Sequence, residues 1–210
     1  MFDALLFDLD GTLVDTESIA LRTGPEAFAR HGLAVDEAFL HRLVGRDEPS
    51  SRAILAEAFP AADLDALRRD WNAAFALGIE AGLPLKPGVL DLLAATDGYP
   101  RAIVTSSGRP GALRKLELVG LADRFELVIA LQDVPAPKPD PAPYLLAAAR
   151  LGLPPARCLV FEDSETGAEA GSRAGCTVVQ VPDVLPTGGR WAHHVATDLI
   201  AGAQAAGLLR

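Results

Sequence analysis

Residues 4–15 read Ala4-Leu-Leu-Phe-Asp-Leu-Asp-Gly-Thr-Leu-Val-Asp15. The apolar run predicts a buried strand, and the polar residues after it predict that the strand gives way to a loop. Asp8 and Asp10 would then emerge at the carboxyl end of a sheet, where open α/β sheets bind ligands. A carboxylate at that edge can act as a nucleophile, move a proton or hold a hard cation.

Two simpler interpretations of this stretch stay open on these residues alone. Asp and Gly are common turn residues, so the string could form an ordinary turn. It could also be half of a calcium-binding loop, but that motif needs a helix in front and a later glycine. Here Gly11 follows Asp10 directly, and the residues before Asp8 are typical of a strand. Three later segments favour a catalytic site.

The second segment, residues 101–107, is another apolar run that ends in hydroxyl residues, Thr105, Ser106 and Ser107. The Thr105 side chain can hydrogen-bond a phosphate oxygen, and the amides of Ser106 and Ser107 can join it. Ser and Thr are also favoured at helix N-caps. Both interpretations can hold together, because a helix N-terminus is itself a site for anions.

The third segment holds Lys138 between Pro137 and Pro139. The chain has only two other lysines, Lys86 and Lys115. The prolines restrict the backbone on both sides of Lys138. It could be an ordinary surface lysine of a proline-rich loop, or a lysine held rigidly to neutralise a phosphate or an aspartate nucleophile.

The fourth segment, residues 158–167, is an apolar run that ends in Glu162 and Asp163, with Ser164 next. Acidic residues at the start of a helix interact favourably with the helix dipole. Paired carboxylates also suit Mg²⁺, which binds carboxylates together with substrate phosphate and water. This segment is therefore a candidate metal site.

These four segments, in this order, resemble the haloacid dehalogenase superfamily, and specifically its Mg²⁺-dependent phosphatases and phosphomutases. The resemblance rests on Asp-x-Asp-Gly-Thr, a strand followed by Thr-Ser, Lys-Pro and Glu-Asp-Ser, and it covers almost the whole chain. It implies that Asp8 is the nucleophile that takes the phosphoryl group, and that Asp10 is the general acid and base. Thr105 and Lys138 would bind the phosphate, with the Ser106 amide beside them.

The same resemblance implies a Mg²⁺ cofactor. Asp163 and the Asp8 carboxylate would bind the ion together with the backbone carbonyl of Asp10. Glu162 would hold the metal either directly or through water. The ion and Lys138 would offset the repulsion between a phosphate ester and the Asp8 carboxylate.

One strand pattern occurs near the start of the chain, and strand and helix patterns alternate from about residue 101 onward. Strand patterns occur near residues 4–9, 101–105, 126–130, 158–161 and 177–181, and helical patterns near 109–119, 140–151, 165–174 and 197–206. This alternation predicts an α/β fold, with a Rossmann-like parallel sheet and helices on both faces. Residues 15–84 show only helical patterns. We therefore expect a core domain of residues 1–14 and 85–210 and an inserted all-helical domain of residues 15–84, which the resemblance identifies as a cap.

Composition limits the possible partners. The 210 residues carry a net charge of −9, which argues against nucleic acid or an anionic membrane as a partner. We expect no secretion leader, and the sequence contains no apolar run of the ~20 residues that a membrane span needs. We expect a cytoplasmic protein, a monomer or weak dimer, whose ligand is a small phosphate ester.

Cys158 and Cys176 begin apolar runs and are expected to be buried and reduced.

The expected activity is Mg²⁺-dependent hydrolysis of a small phosphomonoester, a sugar phosphate or a short organic acid phosphate, through an aspartyl-phosphate. Arg46 could bind a second anionic group of the substrate, or it could be a solvated charge at a helix end.

The resemblance also argues against two other reactions. Haloacid-hydrolysing relatives lack the second aspartate, which is Asp10 here, and phosphonate cleavage uses a cap lysine, which residues 15–84 do not contain.

The main alternative is a sugar phosphomutase of the β-phosphoglucomutase type. Thr16 and the Glu162-Asp163-Ser164 run resemble that branch. The branch carries a histidine in the first cap helix, where this chain has Ala20. A binding protein without activity is disfavoured, because every expected catalytic position is filled.

Overall fold

The computed structural model describes residues 1–43 and 48–210, with side chains for residues 1–43 and 50–210. The chain divides into two compact units. One contains Met1–Val14 and Leu85–Arg210, and the other contains Asp15–Pro84. Across the described ranges, none of the helices has the length and apolar character needed to cross a membrane.

A six-stranded parallel sheet forms the centre of the first unit. Its strands are β1 (Ala4–Phe7), β2 (Arg101–Val104), β3 (Leu127–Ile129), β4 (Cys158–Glu162), β5 (Thr177–Gln180) and β6 (His194–Val195). Their order across the sheet is β3-β2-β1-β4-β5-β6. Strands β1, β2 and β4 are buried along their whole length, as expected for parallel strands covered on both faces. The predicted α/β fold with a parallel sheet is confirmed.

The second unit is helical in its described residues. Its helices are α1 (Thr16–Arg30), α2 (Glu37–His41), α3 (Glu48–Ala58) and α4 (Leu64–Ala81). Asp15 and Asp63 cap α1 and α4, because their carboxylates accept hydrogen bonds from backbone amides of the first turn. A small apolar core forms around Phe28, whose ring meets that of Trp71 edge-on at 5.4 Å.

Five more helices belong to the first unit. They are α5 (Val89–Ala95), α6 (Arg109–Leu118), α7 (Ala142–Arg150), α8 (Glu165–Arg173) and α9 (Leu199–Ala205). The sequence patterns did not predict α5 or β6. Both are short, with seven and two residues, so neither repeats a periodic pattern long enough to be recognised.

The register of the central strands decides which residues meet at the carboxyl edge. Phe7, the last residue of β1, pairs with Ile103 of β2 on one side and with Phe161 of β4 on the other. The next residue, Asp8, donates its backbone N–H to the Phe161 carbonyl at 3.0 Å. Asp8, the end of β2 and the Glu162 end of β4 therefore lie side by side at one edge of the sheet.

Candidate active site

Lys138 connects the acidic groups at this edge. Its Nζ donates to Asp8 Oδ1 at 2.7 Å, to the Val104 carbonyl at 2.7 Å and to Glu162 Oε1 at 2.5 Å. An ammonium group has three N–H donors, and all three are used here. The Lys138 side chain is 4% exposed, so the lysine is a buried part of the site and not a surface residue of its loop.

Tyr144 completes the environment of Lys138. This residue of α7 is fully buried and donates its hydroxyl to Glu162 Oε1. Its ring centroid lies 5.2 Å from the Lys138 ammonium, close enough for a cation–π interaction. Burial raises the pKa of Tyr144, and the Glu162 carboxylate raises it further, so the hydroxyl keeps the proton that it donates.

The buried charges shift one another's pKa values. Burial raises the pKa of Asp8 to about 7; the Lys138 ammonium opposes this rise, and the Glu162 carboxylate adds to it. Burial alone would lower the pKa of Lys138, but the carboxylates of Asp8 and Glu162 outweigh burial and raise that pKa well above its ordinary value. Lys138 therefore stays charged.

Asp8, Glu162 and Asp163 each offer a carboxylate oxygen, and these oxygens lie within 4.8 Å of one another. Hard divalent cations prefer such oxygen ligands. Gly11 leaves room for this group: its φ is +84°, and a Cβ atom there would lie 2.4 Å from Asp163 Oδ2. The missing side chain of Gly11 lets the Asp163 carboxylate lie there, and the three carboxylates together fit a divalent cation. Glu162 Oε1 is at the same time engaged by Lys138 and Tyr144.

The Asp10 carboxylate is not one of these three clustered carboxylates. Lys115 Nζ donates to its Oδ1 at 2.5 Å, and Ser107 Oγ donates to its Oδ2 at 2.6 Å. Lys115 also lies 3.0 Å from Ser107 Oγ. Sequence reasoning missed Lys115. The available signal was its place in α6, where Lys115 shares a buried face with Ala112 and Leu116 that would ordinarily be apolar.

The predicted phosphate-binding residues follow β2 directly. Thr105 is buried, and its Oγ1 accepts the Ser107 backbone N–H at 3.0 Å. Ser106, the next residue, is exposed at the same turn. Thr105 lies beside the Val104 carbonyl to which Lys138 donates, so the structure brings these two predicted residues to one place. Arg46 lies outside the described residues.

The third lysine also pairs with an aspartate. Lys86 Nζ lies 2.6 Å from Asp183 Oδ1, and the two side chains are 21% and 12% exposed. Asp183 Oδ2 lies 3.3 Å from the Cβ position of Gly11, on the same side as Asp163. All three lysines of the chain are thus paired with aspartates of the first unit.

Comparisons with known proteins identify the family of the chain. The family model for haloacid dehalogenase-like hydrolases matches residues 2–175. Hexitol phosphatase A of Escherichia coli (strain K12) is 37% identical over 180 residues, which are 84% of this chain and 81% of that protein.

Two solved structures have a similar fold. A haloacid dehalogenase family hydrolase from Deinococcus radiodurans R1, crystallised with phosphate and sodium, is 33% identical, with a TM-score of 0.79 over 99% of this chain and 97% of that one. A protein of Thermotoga maritima, provisionally named a beta-phosphoglucomutase, is 28% identical, with a TM-score of 0.78 over 93% of this chain and 94% of that one. The chain belongs to the haloacid dehalogenase-like hydrolases, in the branch of phosphatases and β-phosphoglucomutases.

Proposed function

We propose that this haloacid dehalogenase-type phosphatase hydrolyses a small phosphorylated sugar, polyol or short organic acid, with Mg²⁺, through an aspartyl-phosphate on Asp8. The observation that carries the proposal is the buried Lys138, which holds Asp8 at the carboxyl end of the central strand. The similarity to a hexitol phosphatase supports a phosphorylated carbohydrate or polyol as the substrate.

In the first step, an Asp8 oxygen attacks phosphorus and the bond from phosphorus to the ester oxygen breaks. Asp10 gives its proton to the leaving alkoxide. Lys138, the Thr105 hydroxyl and the Ser106 amide stabilise the negative charge of the transferring phosphoryl group.

In the second step, a water oxygen attacks the phosphorus of the aspartyl-phosphate, and Asp10 takes the proton of that water. The bond from phosphorus to Asp8 breaks, and inorganic phosphate leaves. Asp8 and Asp10 then return to their starting states. Covalent catalysis of this kind divides one difficult displacement into two easier ones.

The cation would be held by the carboxylates of Asp8 and Asp163 and by the Asp10 carbonyl. When bound, Mg²⁺ supplies positive charge that offsets the charge of the phosphate ester. We assign Glu162 mainly to Lys138, because its Oε1 already accepts hydrogen bonds from Lys138 and Tyr144. Any contact of Glu162 with the cation would then use Oε2 or a water molecule.

Asp8→Asn and Asp10→Asn test this division of roles. Asp8→Asn removes the nucleophile, so no phosphorylated enzyme should form from any substrate. Asp10→Asn keeps the nucleophile and loses proton transfer, which is usually worth ~10²–10⁴-fold in rate. In the burst phase it should lose less with p-nitrophenyl phosphate than with an alkyl phosphate, because the nitrophenolate needs little protonation.

Mass spectrometry of acid-quenched Asp10→Asn enzyme should detect phosphorylated Asp8, because the second step lacks its base. Equal burst-phase losses for aryl and alkyl substrates, with no phosphorylated Asp8, would contradict the proposal. The substrate class is measured separately, as kcat/KM with Mg²⁺ over a panel of hexitol phosphates, sugar phosphates and short acid phosphates.

A sugar phosphomutase is the second candidate. It is favoured by Thr16, by the Glu162-Asp163-Ser164 run and by the structural similarity to the Thermotoga maritima protein. Ala20, in place of a histidine, favours hydrolysis. Incubation with β-glucose 1-phosphate separates the two candidates. Conversion to glucose 6-phosphate faster than the release of phosphate would establish the mutase.

A further inference from the structure

Lys115 is paired with the proposed general acid, but the proposed chemistry has given it no role so far. It lies in the last turn of α6, and its side chain is 9% exposed. A buried ammonium loses hydration and needs strong partners to offset that loss. Its contacts in this structure are Asp10 Oδ1 at 2.5 Å and Ser107 Oγ at 3.0 Å. Both partners are side chains of the site, so the burial of Lys115 is tied to Asp10.

The contacts fix the direction of the Asp10 carboxylate. Oδ1 accepts from Lys115 and Oδ2 accepts from Ser107 at 2.6 Å, so each oxygen has its own donor. The terminal torsion of an aspartate is broad when nothing restrains it. Here a rotation about that torsion breaks two hydrogen bonds at once. The two donors come from one segment, since Ser107 lies two residues before the start of α6.

We propose that Lys115, together with Ser107, is a positioning residue that orients the Asp10 carboxylate for proton transfer to the leaving group. This inference rests on the proposed role of Asp10 as general acid and base. Lys115 does not touch the substrate in this proposal, and it acts only through Asp10. In the first step its effect should therefore grow with the need of the leaving oxygen for a proton, and in the second step, where Asp10 takes the proton of water, its effect should be the same for every substrate.

The size of the effect follows from the sensitivity of proton transfer to geometry. A misplacement of about 1 Å can cost ~10²-fold in rate. A carboxylate that has lost one of two restraints still visits the productive orientation, so the loss should be smaller than that of Asp10→Asn. Binding of the phosphate group does not involve Lys115, so the Kd for the substrate should change little.

The test compares Lys115→Met with wild type on a series of aryl phosphates of decreasing leaving-group acidity and on an alkyl phosphate. Methionine suits this position, because it is a long apolar side chain on a buried helix face. We expect the burst-phase rate to fall ~10–100-fold for the alkyl phosphate and less than ~3-fold for p-nitrophenyl phosphate. Lys115→Arg, which keeps the charge and the donors, should recover part of the loss.

Lys86→Met is the matched control, because it also removes a lysine paired with an aspartate of the same unit, at 2.6 Å. Its effect should not depend on the leaving group. Thermal unfolding of each variant shows whether the fold persists. If Lys115→Met does not fold, Ser107→Ala replaces it, with a smaller change in the same direction expected.

The outcomes separate this inference from the proposed function. If Asp10→Asn depends on the leaving group and Lys115→Met does not, Lys115 is only structural and the inference is wrong. An equal burst-phase loss on aryl and alkyl substrates for a folded Lys115→Met, or for Ser107→Ala in its place, has the same meaning. If Asp10→Asn itself shows no dependence on the leaving group, the role proposed for Asp10 is wrong, and the inference falls with it.

Discussion

The carboxylate of Glu162 fills the space that a Cβ atom on Gly167 would need, since both of its oxygens lie 2.0 Å from that position. Glu162 is the last residue of β4, and Gly167 lies in the first turns of α8. The missing side chain lets a buried carboxylate turn toward Lys138 and Tyr144. Gly167 is therefore required by the site, although glycine weakens a helix.

Gly167→Ala should displace Glu162 and with it one of the partners of Lys138. Forcing an atom into a packed site typically costs ~1–3 kcal/mol of unfolding free energy, and here we also expect a large loss of kcat. The measurements are calorimetric melting and kcat/KM on p-nitrophenyl phosphate. Gly111→Ala is the control, because Gly111 is also helical but has open space around it. It should keep activity and gain up to ~1 kcal/mol. Similar behaviour of the two variants would contradict this explanation of Gly167.

Tyr144→Phe and Lys138→Met should differ strongly in severity. Tyr144→Phe removes one of two donors to Glu162 Oε1 and should cost ~1–2 kcal/mol, with a modest loss of activity. Lys138→Met leaves Asp8 and Glu162 buried without their cation, which should cost ~3–5 kcal/mol and abolish activity. Urea unfolding without added Mg²⁺ measures the loss of stability in both variants. Equal destabilisation by the two variants would mean that Lys138 is not the main partner of these carboxylates.

Binding of Mg²⁺ should weaken as the pH falls. Burial raises the pKa of Asp8 to about 7, and a carboxylate must lose its proton to bind a cation. Acidification from pH 8 to pH 6 should therefore raise the apparent Kd for Mg²⁺ about tenfold, and binding at pH 6 should release a proton. Isothermal titration calorimetry in two buffers of different ionisation enthalpy measures both quantities. A Kd that is the same at the two pH values, with no proton release, would refute this prediction.

The same shift sets the effect of pH on the stability of the metal-free protein. When folding raises the pKa of a carboxyl group, that group stabilises the fold. The stabilisation is complete when the pH is below the pKa of the group in the unfolded chain, near 3.8. This contribution is lost as the pH rises toward about 7. The unfolding free energy of metal-free wild type should therefore fall over this range more steeply than that of Asp8→Asn.

Both cysteines should be inert in the folded protein. Burial raises the pKa of Cys158 to about 11 and that of Cys176 to about 12. Since the thiolate is the reactive form, labelling by Ellman's reagent at pH 8 should be far slower than for free cysteine. In denaturant, both thiols should react at once. Rapid labelling of either cysteine in the folded protein would show that its thiol is accessible.

The residues of the site were predictable from the sequence to different degrees. Asp8 and Glu162 each follow an apolar run directly, and Asp163 comes next after Glu162. A parallel sheet brings the carboxyl ends of its strands to one edge. Lys138 stood out because the chain has few lysines and because two prolines flank it. Its contacts with Asp8 and Glu162 span 130 and 24 residues of sequence, so no local pattern could give them.

The sequence by itself determined the α/β class and the strands that carry the acidic residues, because apolar runs, their lengths and the turn residues after them are local properties of the chain. Tertiary structure alone decided which side chains meet. Lys115 reaches Asp10 across 105 positions, and Lys86 reaches Asp183 across 97, because the order of the strands and the rotation of each helix on the sheet place them together. These placements depend on packing between distant segments. A pattern within a single segment shows only that Lys115 lies on a buried helix face, and not that its partner is Asp10.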